Sequence, residues 1–227
     1  MKLIFVRHGH PDYRNDCLTP LGAVQAETVA ERLLKTPADA VYSSSFGRAK
    51  DTAAPFLQKT GLPVTILDWM HEVTWAPKDG DGDIHMKYHP WLRAEELVKA
   101  GIDPMTVDKN TLEFYTNSTL SDCYERIRTE SDLWLKELGY ERQGHGYVCR
   151  KENTDTVLLF AHHGSGTCLM SHLTNIPLFY LFANFNYAYT GISEFDFEGK
   201  EGEFLMPKLS LFNEHVHIGD CEMMLSM

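Results

Sequence analysis

The sequence predicts an α/β protein, a three-layer α/β/α sandwich whose mostly parallel central sheet carries helices on both faces. Three observations predict it. Short apolar runs alternate with longer stretches of helical periodicity between residues 2 and 67. "DTVLLFA" (155–161) is β-branched and then apolar throughout, as a strand covered on both sides must be. The 227 residues are enough for one large core without a disulfide or metal staple.

The elements follow in order. Residues 2–6 read as the first strand, and "TPLGAVQAETVAERLLK" (19–35) as a helix with Thr19 as N-cap and Pro20 at its first position. "DAVYSS" (39–44) is a second strand, followed by a helix from Phe46 to Thr60 that stops at Gly61. "LPVTIL" (62–67) is a third strand. From Asp68 to about Leu120 the pattern breaks into loop-rich sequence with a short helix near 90–100, read as an insertion over the sheet edge. A longer helix runs from Ser121 to Leu138, with Tyr124, Ile127, Leu133, Trp134 and Leu138 mostly at helical spacing. After strand 155–161, the apolar–polar alternation of "TGISEFDFEGKEGEFLMPKLSLFN" predicts a strand pair closing the sheet.

Composition narrows the partners. A formal charge of −11 argues against nucleic acid, whose phosphates need clustered Lys and Arg, and it opposes any anionic ligand at long range. Screening within about 8 Å lets a locally basic pocket overcome that repulsion, so such a pocket must bring its own cations. The aromatic-rich stretch 176–189 is too short and too interrupted to cross a bilayer, and reads as core and pocket wall. Five cysteines, odd in number and with no C-x-x-C pair, together with a start that lacks an export signal, predict a reducing cytoplasmic setting.

In open α/β sheets ligands bind beyond the carboxyl ends of the strands. The first strand runs into Arg7, His8 and Gly9, and the late strand into His162, His163 and Gly164. If the two strands are neighbours, Arg7, His8 and His163 converge on one rim, where glycines permit a tight turn and close approach to a bound group. Arg48, near the start of the second helix, adds another forked cation. Two guanidiniums with two imidazoles suit a tetrahedral oxyanion.

"RHG" at the end of the first strand, "LTPLGAVQA", "SSSFGRAKDTA", the Glu of "WMHEV" and the late "HHG" resemble, in that order, the histidine phosphatase superfamily, the phosphoglycerate mutase-like proteins of branch 1. The tail "LFNEHVHI" is similar to that family's C-terminal Asn and His. The resemblance covers most of the chain except about 73–150, which reads as a variable cap within a single domain.

What the resemblance implies is a metal-independent phosphomonoester hydrolase that needs no cofactor and acts on a small phosphate ester. By similarity His8 is the nucleophile, Arg7, Arg48 and His163 hold the phosphoryl oxygens, and Glu72 gives a proton to the leaving alkoxide. Glu72 must then carry a proton in the working complex, so mildly acidic activity is expected. Asp12, His71, Asp83 and His85 compete with Glu72 for this role. Gly164 and Asn15 join the phosphate-binding set. His163 is preferred to His162 because the family's histidine directly precedes glycine, which leaves His162 to point into packing.

Two other readings are weighed. A mutase would return the phosphoryl group to another substrate oxygen, but His10 and Pro11 stand where the mutase pattern has Glu and Ser. A non-catalytic phospho-ligand or protein-binding module would be expected to have lost the nucleophile or an arginine. "DGDGDIH" (79–85) fails the calcium-loop pattern, with Ile84 where Gly is required, and reads as a solvated loop. His215 and His217 are two metal ligands without a third. Trp75, Tyr88, Trp91 and Phe114, with polar His85, Lys87 and Arg93, line either the entrance or a satellite core. Substrate identity and oligomeric state stay open.

Overall fold

The computed structural model describes residues 1–78 and 88–219. The 79–85 loop, with Asp83 and His85, and also Lys87 and Cys221 lie outside them. Eleven strands and seven α-helices are formed by the described residues. Strand β1 is Lys2–Arg7, and short strands β2 (Pro11–Asp12) and β3 (Cys17–Leu18) form a small hairpin above its end. Helix α1 (Pro20–Leu33) starts as predicted, with Thr19 Oγ1 accepting from the Gly22 amide at 3.1 Å. Then come β4 (Ala40–Ser44), α2 (Gly47–Thr60) and β5 (Val64–Leu67). Gly61 closes α2 at φ 71°, the left-handed conformation that favours glycine.

Helices α3 (Pro90–Lys99), α4 (Glu113–Thr116) and α5 (Thr119–Glu137) lead to the hairpin β6 (Tyr140–Gln143) and β7 (Gly146–Cys149). Strand β8 (Thr156–Ala161), α6 (His163–Thr174), α7 (Leu178–Asn184), β9 (Ile192–Asp196), β10 (Phe204–Leu205) and β11 (Lys208–Glu214) complete the chain.

The six-stranded sheet has the order β11-β9-β1-β8-β4-β5. β1, β8, β4 and β5 run parallel, whereas β9 and β11 close one edge antiparallel, as the alternating C-terminal pattern predicts. Strand periodicity divides the core. Ile4, Val6, Leu158 and Phe160 face α1 and α2 with Val29, Leu33 and Phe56. Leu3, Phe5, Val157 and Leu159 face the other way, into the larger cluster with Ile127, Leu135, Leu169 and Leu173 of α5 and α6. Two buried faces explain why β1 and β8 are apolar without alternation.

The stretch 73–150 divides in three. Helix α3 lies against α7. Helix α5 is a layer of the sandwich itself: Trp134 meets Tyr42 of β4 edge-on at 5.1 Å, and α5 packs along α6. Strands β6 and β7 pair with β10 from the far end of the chain in a separate three-stranded sheet. The second sheet joins segments more than 50 residues apart through a two-residue strand, a contact that local periodicity does not encode.

Candidate active site

Because β1 and β8 are neighbours, their carboxyl ends open on one rim. Arg7 stands opposite Ala161, and the His8 amide donates to the Ala161 carbonyl at 2.9 Å. β4, beside β8, ends at the same rim in Ser44. Arg7, His8, Ser44, Arg48 and His162 are each at most 5% exposed, an unusual density of buried polar groups.

His8 is fixed in one tautomer. Its Nδ1 lies 2.7 Å from the Gly9 carbonyl, which can only accept, so Nδ1 carries the proton and Nε2 keeps a free lone pair. Gly9 is held in turn: its amide donates to Thr52 Oγ1 at 3.0 Å, and that hydroxyl donates to the Arg48 carbonyl at 2.7 Å. Thr52 thereby ties the His8 turn to the helix bearing Arg48. Burial, then the Arg7 charge, with a smaller part from Arg48 and His163, pushes the imidazole of His8 well below its usual range, against the opposing pull of the Gly9 bond.

Arg7 lies with its guanidinium 4.2 Å above the Tyr189 ring and donates through Nη1 to the Tyr187 carbonyl. Arg48 donates through Nη1 to Asp16 Oδ1 at 2.5 Å. Asp16 Oδ2 also accepts from the Gly47 amide at 2.6 Å, so one carboxylate caps α2 and aims its arginine. Gly47 is obligatory there, since a Cβ would fall 2.0 Å from the Asp16 carbonyl oxygen.

His162, expected to turn into packing, faces the site instead. It is the residue before α6, with extended backbone (φ −127°, ψ 169°), so its side chain leaves the strand end toward the rim. Its ring centroid is 5.2 Å from that of His8, and Nε2 lies 2.8 Å from Ser44 Oγ. Nδ1 is buried without a hydrogen-bond partner. His163 is already helical and goes round to the cap side, with its ring packed on Trp91 at 4.8 Å and Tyr187 at 5.6 Å and its Nε2 buried without a hydrogen-bond partner. Burial first, and neighbouring positive charge second, holds His162 and His163 well below the usual imidazole range.

Glu72 reaches the N-terminus of α6, where it accepts from the Ser165 amide at 2.9 Å and the Gly164 amide at 3.3 Å. Gly164 permits this approach: a Cβ there would lie 2.8 Å from Glu72 Oε1. The Gly164 amide is thus engaged by a carboxylate. The charge of Glu72 acts on both Arg7 and Tyr13, and Arg48 lies 5.4 Å from the ring of that mostly exposed tyrosine.

Asn15 is not brought to this cluster. It is exposed, and its amide donates to Asp12 Oδ2 at 2.7 Å within the β2–β3 turn. His71 stacks on Phe46 at 5.5 Å, with Nδ1 on the Asp68 carbonyl. Among the described residues no three His, Cys, Asp or Glu side chains are grouped to hold a metal ion. Asp16, Ser44, Thr52 and His162 are the site residues that sequence reasoning missed. Ser44 and His162 had a usable signal, since each stands at the end of a predicted parallel strand at the ligand-binding rim.

With two guanidiniums, a tautomer-locked imidazole and a second neutral imidazole around one point, the rim can hold a tetrahedral oxyanion in line with a nitrogen lone pair. The family model for the histidine phosphatase superfamily, branch 1, matches residues 3–209, so the chain belongs to this family. A Hydrogenobacter thermophilus protein named as a phosphoserine phosphatase is 24% identical over 210 residues, covering 88% of this chain and 91% of the relative. The glucosyl-3-phosphoglycerate phosphatase of Mycobacterium tuberculosis is 27% identical over 134 residues, covering 43% of this chain and 60% of that protein. A solved native structure of the mycobacterial glucosyl-3-phosphoglycerate phosphatase superposes with a TM-score of 0.67 at 22% identity, covering 94% of this chain and 99% of that one.

Proposed function

We propose that this phosphatase-family protein hydrolyses small phosphate monoesters by passing the phosphoryl group through His8, without a metal. The observation that carries the reading is the Nδ1 bond of His8 to the Gly9 carbonyl, which leaves Nε2 as a lone pair beside Arg7, Arg48 and His162. Nε2 attacks phosphorus as the ester P–O bond breaks, and the leaving alkoxide takes a proton from Glu72, which accepts from the Ser165 and Gly164 amides and must take up that proton from solvent as the anionic substrate enters. Water then attacks the phosphohistidine, the N–P bond breaks, and Glu72 takes the proton back.

Arg7 and Arg48 share the equatorial oxygens as charge is redistributed. His162 is the better second imidazole by position, because its ring faces His8 while that of His163 is packed on Trp91 and Tyr187. His163 forms the wall behind Arg7. The relatives' names carry phosphoserine and glucosyl-3-phosphoglycerate, both small phosphate esters, and this substrate class is the one proposed here. Cys17, Cys123, Cys149 and Cys168 are all free thiols, which fits a reducing cytoplasm.

The test is hydrolysis of a generic aryl phosphate in the presence of a chelator at mildly acidic to neutral pH. Chelator-resistant turnover that disappears with His8→Ala is expected. Turnover that survives His8→Ala, or that needs an added metal, would refute the mechanism.

A further inference from the structure

Residues 187–191 form a strap around the end of β1. The Tyr187 carbonyl accepts from Arg7 Nη1, the Tyr189 ring lies 4.2 Å from the guanidinium, and the Gly191 carbonyl accepts from the Arg7 amide at 3.2 Å. The Thr190 amide donates to the His8 carbonyl at 3.3 Å. The two residues proposed for chemistry therefore lean on a segment that is neither helix nor strand. Something outside it must set its position.

Asn213 does so. The Ala188 amide, in the middle of the strap, donates to Asn213 Oδ1 at 2.7 Å. Asn213 sits in an irregularity of the edge strand β11: Leu211 pairs with Glu194 and Glu214 with Ile192, so two residues oppose Ser193 alone. Its φ of 52° is left-handed, a conformation that Asn and Asp tolerate better than most residues. A bulge next to a site commonly re-aims one side chain, and this one turns Oδ1 inward across β9. The bulge is held on both sides. The Asn213 amide donates to Ser193 Oγ at 3.0 Å, and Glu214 pairs with Arg32 of α1 at 3.1 Å. Gly191 makes room, because a Cβ there would lie 2.3 Å from Asn213 Oδ1.

We propose that Asn213 is a positioning residue for Arg7: through the Ala188 amide it sets the strap that fixes the guanidinium for a phosphoryl group. The inference rests on the reading of Arg7 as a phosphate ligand. Displacing a phosphate-holding group by an ångström costs up to about 100-fold in rate, and Asn213 acts on Arg7 only through the strap.

The experiment measures inorganic phosphate binding by calorimetry, and aryl phosphate hydrolysis, for Asn213→Gly, Asn213→Asp and Gly191→Ala, each alone and combined with Arg7→Ala. Asn213→Gly keeps the backbone conformation and removes the acceptor; weaker phosphate binding and a kcat/KM lower by about 10-fold are expected. Asn213→Asp keeps the acceptor and should stay within about 3-fold of wild type, which a lost hydrogen bond would exceed. Gly191→Ala should repeat the loss from the opposite side of the contact, and it decides the matter if Asn213→Gly does not fold.

With Arg7→Ala in place, the Asn213→Gly effect should vanish. An undiminished effect in that background would overturn the proposal, as would failure of Asn213→Asp to restore binding. Binding and turnover are read separately. Wild type that binds phosphate but hydrolyses no ester would sink the hydrolase reading, and the binding cycle would still decide the role of Asn213. Wild type that binds no phosphate overturns both.

Discussion

Two groups of histidine and arginine stand at opposite ends of helix α6, about 18 Å apart by its twelve-residue length. At its N-terminus is the rim of Arg7, His8, Arg48 and His162. At its C-terminus is a cleft of about 630 Å³ lined by Arg128, Asp132, Arg142, His145, His172 and Asn175 among others. The cleft at the far end has room for a ligand, yet its charges are already answered. His172 Nε2 lies 2.8 Å from Asp132 Oδ1, which also accepts from the Tyr147 hydroxyl. Arg128 pairs with Glu125, and Arg142 donates to the carbonyls of Gly144 and His172, the latter in the last turn of α6.

At the rim the two imidazoles meet a carbonyl and a hydroxyl: His8 the Gly9 carbonyl, and His162 the Ser44 hydroxyl. Among the described residues neither meets a carboxylate, although Arg48 beside them is paired with Asp16. The partners of the imidazoles, rather than the residue types or the space, separate a prospective anion site from a structural network.

The sharpest way to break that contrast is to remove the nucleophile. His8→Ala should lower aryl phosphate turnover by at least about a thousandfold with the melting temperature little changed, as steady-state kinetics and a thermal melt would report. Next is Asp16→Ala, which leaves Arg48 without its guide. A fall of about 10- to 100-fold in kcat/KM is expected, with Asp16→Asn recovering part of it by keeping one acceptor for Gly47. An unaffected Asp16→Ala would show that Arg48 needs no aiming.

At the far end His172→Ala should behave oppositely. It leaves a partly buried Asp132 without its main partner, so a loss of about 1–3 kcal/mol is expected after allowing for that partial exposure. Denaturant melts would show it, with kcat within about 2-fold of wild type. A large activity loss at unchanged stability would mean that the far cleft takes part in function.

Acidification separates the two ends again. His8, His162 and His163 are neutral in the fold, and the unfolded chain protonates them near pH 6.5, so it binds more protons below that value. Their contribution to stability falls as pH drops, by up to about 1.4 kcal/mol per pH unit for each histidine. Burial alone would raise the Asp132 carboxyl, but the bonds from His172 and Tyr147 and the charge of Arg142 hold it below the usual range. Its contribution is present above the unfolded value near pH 4 and is lost only below it. Melts across pH 4–7 should therefore show a downward slope that His162→Asn reduces and Asp132→Asn leaves in place. The smallest effect is expected for Asn15→Ala, within about 2-fold in kcat/KM, since its amide serves the Asp12 turn.

Much of the fold could be read from the chain because its signals are local. The apolar runs of β1 and β8, the Thr19-Pro20 start of α1 and the Gly61 stop of α2 each depend on a few adjacent residues. Arg7, His8 and Arg48 were legible as a set because strand neighbours and helix starts follow from that order of elements. Asp16 was not, since its partner is 32 residues away and only the crossing of the β2–β3 hairpin over α2 brings them together. His162 and His163 turn on one residue of geometry: the choice between them followed the family's histidine-before-glycine pattern, whereas β8 ends at Ala161 and α6 starts at His163, which leaves His162 at the rim. Asn213 was marked only by the resemblance of "LFNEHVHI" to the family's tail, while the bulge that aims it shifts register without any signature in composition.

In the proposed reaction His8 Nε2 carries the phosphoryl group. Rapid quenching of wild type during turnover of an aryl phosphate, followed by intact-protein mass measurement at alkaline pH, tests it directly. One acid-labile phosphoryl group, mapped to His8 and absent in His8→Ala, is the predicted result. Turnover at full rate with no phosphoprotein at any time point, or a phosphoryl group mapped to another residue, would rule out His8 as the carrier.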